Sequence, residues 1–188
     1  MIESPEFIER LFRGEENAFR ELFMAYGDRV YNTILSIVQN KEDAEDLSQE
    51  VFITIYKTIR SFRKDSKLST WVYRISVNRS LEFLRNKKRK KRFSFLKSLD
   101  EDENTFEIPD FDHPGVALEN KELSRELFKA INALPENQKT AFVLSQIEVL
   151  SYKEISEVMD LTIPSVESLL FRARQNLKKL LEDFRKKA

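Results

Sequence analysis

The chain has 188 residues, in which 32 Lys and Arg balance 32 Asp and Glu, with 3 Gly, 5 Pro and 0 Cys. That length suits one ordinary domain or two small ones, and scarce Gly and Pro beside abundant Leu, Glu, Lys and Arg favour an all-α protein made of two small helical domains. Without Cys there is no disulfide, thiolate metal site or thiol nucleophile. No apolar run is long enough to cross a bilayer, and Met1 to Glu6 has neither the basic start nor the apolar core of a secretion signal, so a cytoplasmic protein without membrane insertion is expected.

The neutral total conceals a segregation. Residues 1–98 hold 20 Lys and Arg against 14 Asp and Glu, residues 99–126 hold 2 against 10, and residues 127–188 hold 10 against 8. A basic, an acidic and a mildly basic block in succession suit segments that face different partners.

In chain order, Phe7, Ile8, Leu11 and Phe12 have helical spacing, as do Phe19, Leu22, Phe23, Tyr26, Val30, Ile34, Ile37 and Val38, with Gly14 as the break between a short and a long helix. Asn40, with Asp43 three residues on, marks the N-cap of a third helix through Leu47, Val51, Phe52, Ile55, Tyr56 and Ile59. Ser61 to Lys67 reads as a polar loop. Ser69 and Thr70 then start a helix with Val72, Ile75, Val77, Leu81 and Leu84 on its inner face and the run Arg85 to Arg92 at its end. This first domain spans 1–93.

Residues 94–115 lose the periodicity, and their Asp and Glu among Phe106, Ile108, Pro109, Phe111 and Pro114 predict an acidic flexible linker. The second domain, 116–188, begins with a helix through Leu118, Leu123, Leu127 and Ile131. Leu134-Pro135 opens the next helix, Ser151 and Glu154 form a capping box for another, Asp160 to Ile163 is a turn, and Pro164 lies near the start of the last helix.

A capped helix, a short turn and a final helix carrying Phe171, Arg172 and Arg174 make the layout of a helix-turn-helix reader of duplex DNA. Burying Ile155, Val158, Val166, Leu170, Ala173 and Leu177 leaves Ser165, Glu167, Ser168, Phe171 and Arg172 outward as base and phosphate candidates. A helical hairpin packed on another protein would share the pattern, but the turn length, the cap and the basic tail favour DNA.

The strongest electrostatic feature is Arg85, Lys87, Lys88, Arg89, Lys90, Lys91 and Arg92, seven cations in eight residues. Alone it would equally describe a solvated helix end. The helix before it mixes Trp71, Tyr73, Arg74, Asn78, Arg79 and Glu82, and rings that stack on unpaired bases beside cations that track phosphates are how single-stranded DNA is held. For one of Trp71 and Tyr73, core packing is the stronger expectation.

No catalytic constellation emerges. The single His, His113, lies in the acidic stretch beside Pro114, there is no glycine-rich phosphate loop, and no metal or cofactor set can be assembled, so an enzyme is not expected. The alternative to a protein that holds both duplex and single-stranded DNA is a helix-turn-helix regulator whose first domain senses a ligand or partner.

Three stretches together resemble one family: Asp43-Ala44-Glu45-Asp46-Leu47-Ser48-Gln49-Glu50-Val51-Phe52, then Ser69-Thr70-Trp71-Val72-Tyr73-Arg74-Ile75-Ser76-Val77-Asn78, and finally Ala133-Leu134-Pro135 with Leu150-Ser151-Tyr152-Lys153-Glu154-Ile155. They are similar to the signature stretches of bacterial RNA polymerase sigma factors of the sigma-70 family, extracytoplasmic-function group, and their order and spacing extend the likeness over nearly the whole chain. The resemblance implies a sigma2-like helical bundle and a sigma4-like helix-turn-helix domain. Asp46, Gln49 and Glu50 would meet the β′ clamp helices of core polymerase, with the β flap a second polymerase contact. Tyr73, Arg74, Asn78, Arg79 and Glu82, with Trp71, would read the minus-10 element, and the loop carrying Arg63, Lys64, Asp65, Ser66 and Lys67 would receive a flipped base. The basic run would hold promoter phosphates, Ser165, Glu167, Ser168, Phe171 and Arg172 would read the minus-35 element, and the acidic linker would mimic RNA in a basic channel. The expected partners are core polymerase and promoter DNA, duplex and single-stranded, together with an anti-sigma protein or a separate recruiting factor.

One departure stands out. Where the group commonly carries cations, this chain has Glu167 and Leu169. A carboxylate can accept from cytosine N4 but repels phosphate, so minus-35 affinity is expected to be weak or differently specified.

Overall fold

The computed structural model describes the backbone of residues 2–97 and 121–187, and side-chain surroundings for 2–90 and 125–182. Among the described residues there are eight α-helices and no strand: α1 (Pro5–Phe12), α2 (Glu16–Val38), α3 (Lys41–Thr58), α4 (Leu68–Lys97), α5 (Lys121–Asn132), α6 (Glu136–Gln146), α7 (Tyr152–Met159) and α8 (Ile163–Lys187). A 3₁₀ turn, Ile59–Ser61, follows α3. The all-α expectation holds.

Local chemistry places most helix ends. Ser4 accepts from Phe7 N at 3.2 Å with Pro5 in the first turn of α1, and Gly14 takes φ 78° at the break before α2, where a side chain would be strained. Asn40 caps α3 by accepting from Asp43 N at 2.8 Å. Both bonds of the Ser151 and Glu154 capping box on α7 form, at 3.3 and 3.0 Å. At the start of α8, Thr162 Oγ1 accepts from Ser165 N at 3.3 Å, a cap the sequence reading did not name.

One helix runs further than expected, and one expected boundary lies outside the described residues. The last helix of the first half begins at Leu68 and continues to Lys97, past residue 93, because the basic run and Phe93 to Lys97 carry no helix breaker. The expected helix start at Val116 and nearly all of the acidic linker lie outside the described residues.

The first three long helices pack mutually, α2 on α3 and α4 and α3 on α4, with α1 against α2; in the second half α8 packs against α5, α6 and α7. The halves also pack on each other, α4 against α7 and α2 against α6. Their apolar interiors are continuous: Ile37, Tyr73, Val77 and Leu81 of the first half bury among Ala141, Val143, Leu144, Ile155, Val158, Val166 and Leu170 of the second. Phe128, Ala130, Ile131, Leu134, Ala173 and Leu177 in turn join the first-half core around Leu11, Leu22 and Val51. Helical period identifies which positions are apolar, but it does not say whether they close on their own domain or on a neighbour.

Candidate nucleic-acid interface

The helix-turn-helix forms as expected. Three residues, Asp160 to Thr162, separate α7 from α8, and Asp160 adopts the left-handed conformation (φ 54°) that ends α7. Ile155, Val158, Val166, Leu170, Ala173 and Leu177 are all buried, whereas Ser165, Glu167, Ser168, Phe171 and Arg172 are exposed on one face of α8. Phe171 is 63% exposed, unusual for a phenyl ring with only an internal packing role. Ser168 and Arg172 are linked, the guanidinium donating to the Ser168 carbonyl at 3.2 Å.

The α4 face is differently disposed. Tyr73 is 3% exposed, so core packing describes it better than an open stacking platform, and Trp71 is half-buried, its ring 5.5 Å from that of Phe62. Tyr73 OH donates to the Glu148 carboxylate at 2.8 Å, and Thr33 Oγ1 donates to the same carboxylate at 2.8 Å. Burial pushes the Tyr73 phenol up, with the Glu148 charge adding to it. Burial also raises the Glu148 carboxyl above its ordinary value, against the opposing pull of the Thr33 and Tyr73 bonds. Arg74 Nε donates to the Glu157 carbonyl at 3.0 Å, capping the last turn of α7. Asn78 and Glu82 are exposed, and Arg79 bridges Glu82 (3.3 Å) and Thr54 (3.2 Å).

In the loop before α4, Arg63, Lys64, Asp65 and Lys67 are exposed and Ser66 is half-buried. Lys64 has a left-handed backbone (φ 61°), pairs with Glu9 at 2.6 Å and lies 4.9 Å from the Phe12 ring centre. Lys67 pairs across the halves with Glu154 at 2.7 Å. That bond, with those from Ser151, brings the Glu154 carboxyl down to about 2. The loop borders a cavity of about 620 Å³ whose lining includes Glu3, Phe62, Lys64 and Lys67 on one side and Glu154 and Glu157 on the other.

One contributor escaped the sequence reading. Glu3 accepts from Leu68 N at 2.8 Å, Ser69 N at 3.0 Å and Tyr26 OH at 2.9 Å, so a residue preceding α1 caps α4 and fixes the loop's end. Burial opposes its charge, but the Ser69, Leu68 and Tyr26 bonds hold its carboxyl below the ordinary range. No local pattern could reveal a cap supplied from 65 residues away.

The basic run projects from the end of α4, with Arg85, Lys87, Lys88, Arg89 and Lys90 exposed; the side chains of Lys91 and Arg92 lie outside the described residues. Lys87 pairs with Asp43 at 2.8 Å and Lys88 with Glu136 at 2.6 Å, again across the halves. On α3, Asp46, Gln49 and Glu50 are exposed together, one turn from Ile53 (53% exposed). Tyr56, Phe23 and Met24 continue that apolar strip, where Phe19 packs on Tyr56 and Phe23 on Phe52 with ring centres 4.8 and 4.9 Å apart.

Among the described residues, no group of His, Cys, Asp or Glu could hold a metal ion, and no helix is long and apolar enough to cross a membrane.

The two halves correspond to two family models: sigma-70 region 2 matches residues 22–90 and sigma-70 region 4 matches residues 124–177. The chain belongs to the sigma-70 family of RNA polymerase sigma factors, in its extracytoplasmic-function group. It is 31% identical over 188 residues to the RNA polymerase sigma-H factor of Pseudomonas aeruginosa, covering 99% of this chain and 97% of that one. The ECF RNA polymerase sigma-E factor of Haemophilus influenzae is 35% identical over 179 residues, covering 93% of each chain, and that of Escherichia coli K12 is 32% identical over 170 residues, covering 89% and 88%. Solved structures share the fold: CnrH in complex with the cytosolic domain of CnrY (TM-score 0.69, 19% identity, 94% of this chain and 96% of that one). So does the sigma factor RpoE in complex with the anti-sigma factor NepR from Bartonella quintana (TM-score 0.70, 21% identity, 87% and 96%).

Proposed function

We propose that this sigma factor docks on core polymerase through α3, reads and melts the minus-10 element with α4 and the loop before it, and contacts the minus-35 element with the outer face of α8. The observation that carries this reading is the α3 surface, where Asp46, Gln49 and Glu50 lie exposed beside Ile53, Tyr56, Phe23 and Met24. A lone folded chain gains nothing from exposing that many large apolar groups next to carboxylates. A basic coiled coil such as the β′ clamp helices would cover the apolar strip while its cations pair with Asp46 and Glu50.

Each remaining role follows from chemistry at its place. Arg74, Asn78, Arg79 and Glu82 offer donors and acceptors to base edges, the loop Arg63 to Lys67 receives an extruded base, and Trp71 supplies a ring half open to stacking. Tyr73 joins them only once α7 leaves α4, because its hydroxyl and ring are otherwise covered. Arg85 to Arg92 track phosphates, Ser165, Glu167, Ser168, Phe171 and Arg172 face the duplex major groove, and the β flap meets the second half. The domains divide at 1–93 and 116–188, the acidic linker between them taking a basic channel of the polymerase. The chain works in the cytoplasm with no catalytic activity of its own, and an anti-sigma protein is its natural antagonist.

Transcription by purified core polymerase from a library of promoters, with and without this chain, tests the reading. Initiation that depends on the chain and selects one minus-10 sequence is the expected result; core that is bound yet opens no promoter would defeat it.

A further inference from the structure

We propose that α1 is the template on which the loop before α4 is shaped, and that Glu9 is a positioning residue for the minus-10 element: it holds Lys64, and through Lys64 the backbone that receives an extruded base. The proposal rests on that loop being the receiver of a minus-10 base.

Three ties lay the loop antiparallel along α1. Arg60 Nε donates to the carbonyl of Phe12, the last residue of the helix, at 3.2 Å. Lys64 pairs with Glu9, about one turn back, at 2.6 Å. Leu68 N and Ser69 N donate to Glu3, just ahead of the helix, at 2.8 and 3.0 Å. As the chain advances from Arg60 to Ser69, its partners retreat from Phe12 to Glu3, so the start, middle and end of the loop are all referred to one short helix. Apolar packing backs the polar ties: α1 lies against the 3₁₀ turn that leads into the loop, and Ile8 and Phe62 are buried in the same core.

The middle tie acts on a strained residue. Lys64 has a left-handed backbone (φ 61°), which costs any residue with a side chain and persists only where the surroundings over-determine it. Those surroundings belong to α1: the Glu9 carboxylate takes the ammonium, and the Phe12 ring centre lies 4.9 Å from it. With side chains 42% and 49% exposed, this ion pair contributes little to global stability. Its effect is local, selecting one conformation of a short loop. A receiver for one base gains affinity by holding its shape before the base arrives, because ordering the loop on binding would subtract from it. Lys64 therefore serves the loop through its backbone, its charge already engaged on α1.

The test uses holoenzyme made from core polymerase and the full chain, binding single strands of the minus-10 sequence selected in the promoter library, with each position in turn made abasic. The ratio of intact to abasic affinity locates the extruded base. Glu9→Gln should lower that ratio about tenfold at this one position, within the range that one strained residue can cost, and leave the other positions and the thermal midpoint of the chain unchanged. In a Lys64→Gly background the left-handed backbone carries no side-chain cost, so there Glu9→Gln should have no further effect. An unchanged ratio would overturn the proposal. So would an equal loss in the Lys64→Gly background, a loss spread over all positions, or a loss accompanied by a lowered midpoint. If the parent holoenzyme discriminates at one position and Glu9→Gln preserves it, the template on α1 falls alone; if the parent discriminates at none, the minus-10 reading falls and the template falls with it.

Discussion

The two surfaces proposed to meet DNA are in opposite states in one molecule. On α8, Ser165, Glu167, Ser168, Phe171 and Arg172 stand open to solvent, whereas on α4 Tyr73 is buried and Arg74 is bonded to α7. Duplex is met in its resting shape by a groove-sized helix, so its reader can be preformed and exposed. Single strand exists only after melting, and aromatic and cationic groups suited to it find partners inside the protein in the meantime. Readiness on one surface and occupancy on the other are what the proposed roles of the two surfaces require.

Arg74→Ala should break the comparison most sharply, because Arg74 is bonded to α7 and is also one of the proposed minus-10 readers. Holoenzyme melting is expected to fall by about tenfold to a hundredfold, corresponding to ~1–3 kcal/mol for a base-reading contact, while the halves of the free chain move apart. Permanganate reactivity of promoter thymines and the distance between dyes placed one on each half check the two parts of that statement; unchanged melting would remove Arg74 from the readers.

Next in size is a pH effect on the tie between the halves. Burial, reinforced by neighbouring Lys88, draws the Lys139 ammonium down to about 8 from an ordinary value of 10.5. Between those values the unfolded chain keeps a proton that the folded chain has released, so stability rises with pH across that window by at most ~1.4 kcal/mol per pH unit. Lys139→Met should flatten this rise. Denaturant unfolding at pH 8 and pH 10 measures it, and an equal rise in both proteins would refute the assignment.

Glu3→Ala withdraws the cap from α4 and leaves Tyr26 OH without its acceptor, for a loss of about 0.5–2 kcal/mol in stability. Glu3→Gln should recover part of it through the acceptor that remains. Thermal unfolding of the two variants supplies the comparison, and no difference between them would show that a cap at this place is not what matters.

The smallest effects belong to the open surface. Glu167→Lys should raise affinity for promoter duplex severalfold, about 1 kcal/mol, and steepen its salt dependence by roughly one counterion. Arg172→Ala should move both quantities the other way. Titrations at two salt concentrations decide, and a flat response to Glu167→Lys would mean that this carboxylate faces no phosphate.

The sequence was most legible where one short stretch contains both cause and effect. Asn40 with Asp43 and Ser151 with Glu154 locate helix starts because the cap and the amide it serves lie three residues apart. The faces of α8 could be assigned from spacing alone because helical period fixes which residues share a side. Period was less informative on α4, where Ile75, Val77, Leu81 and Leu84 mark an apolar side but spacing does not say which of Trp71 and Tyr73 is core. The fold buries Tyr73 on the second half, since a phenol can be core and partner at once when Glu148 is there to accept from it.

By itself the sequence determined that the chain is helical, that it carries a helix-turn-helix behind a basic, aromatic-bearing helix, and which family those stretches belong to. These are properties of local propensity, periodicity and motif order. Tertiary structure alone decided that the apolar interiors of the halves merge, that Glu3 caps a helix far along the chain, and that Lys67, Tyr73 and Arg74 are held by acceptors from the second half. Each of those bonds joins residues more than sixty positions apart, where no local rule of spacing acts and only packing brings donor and acceptor together.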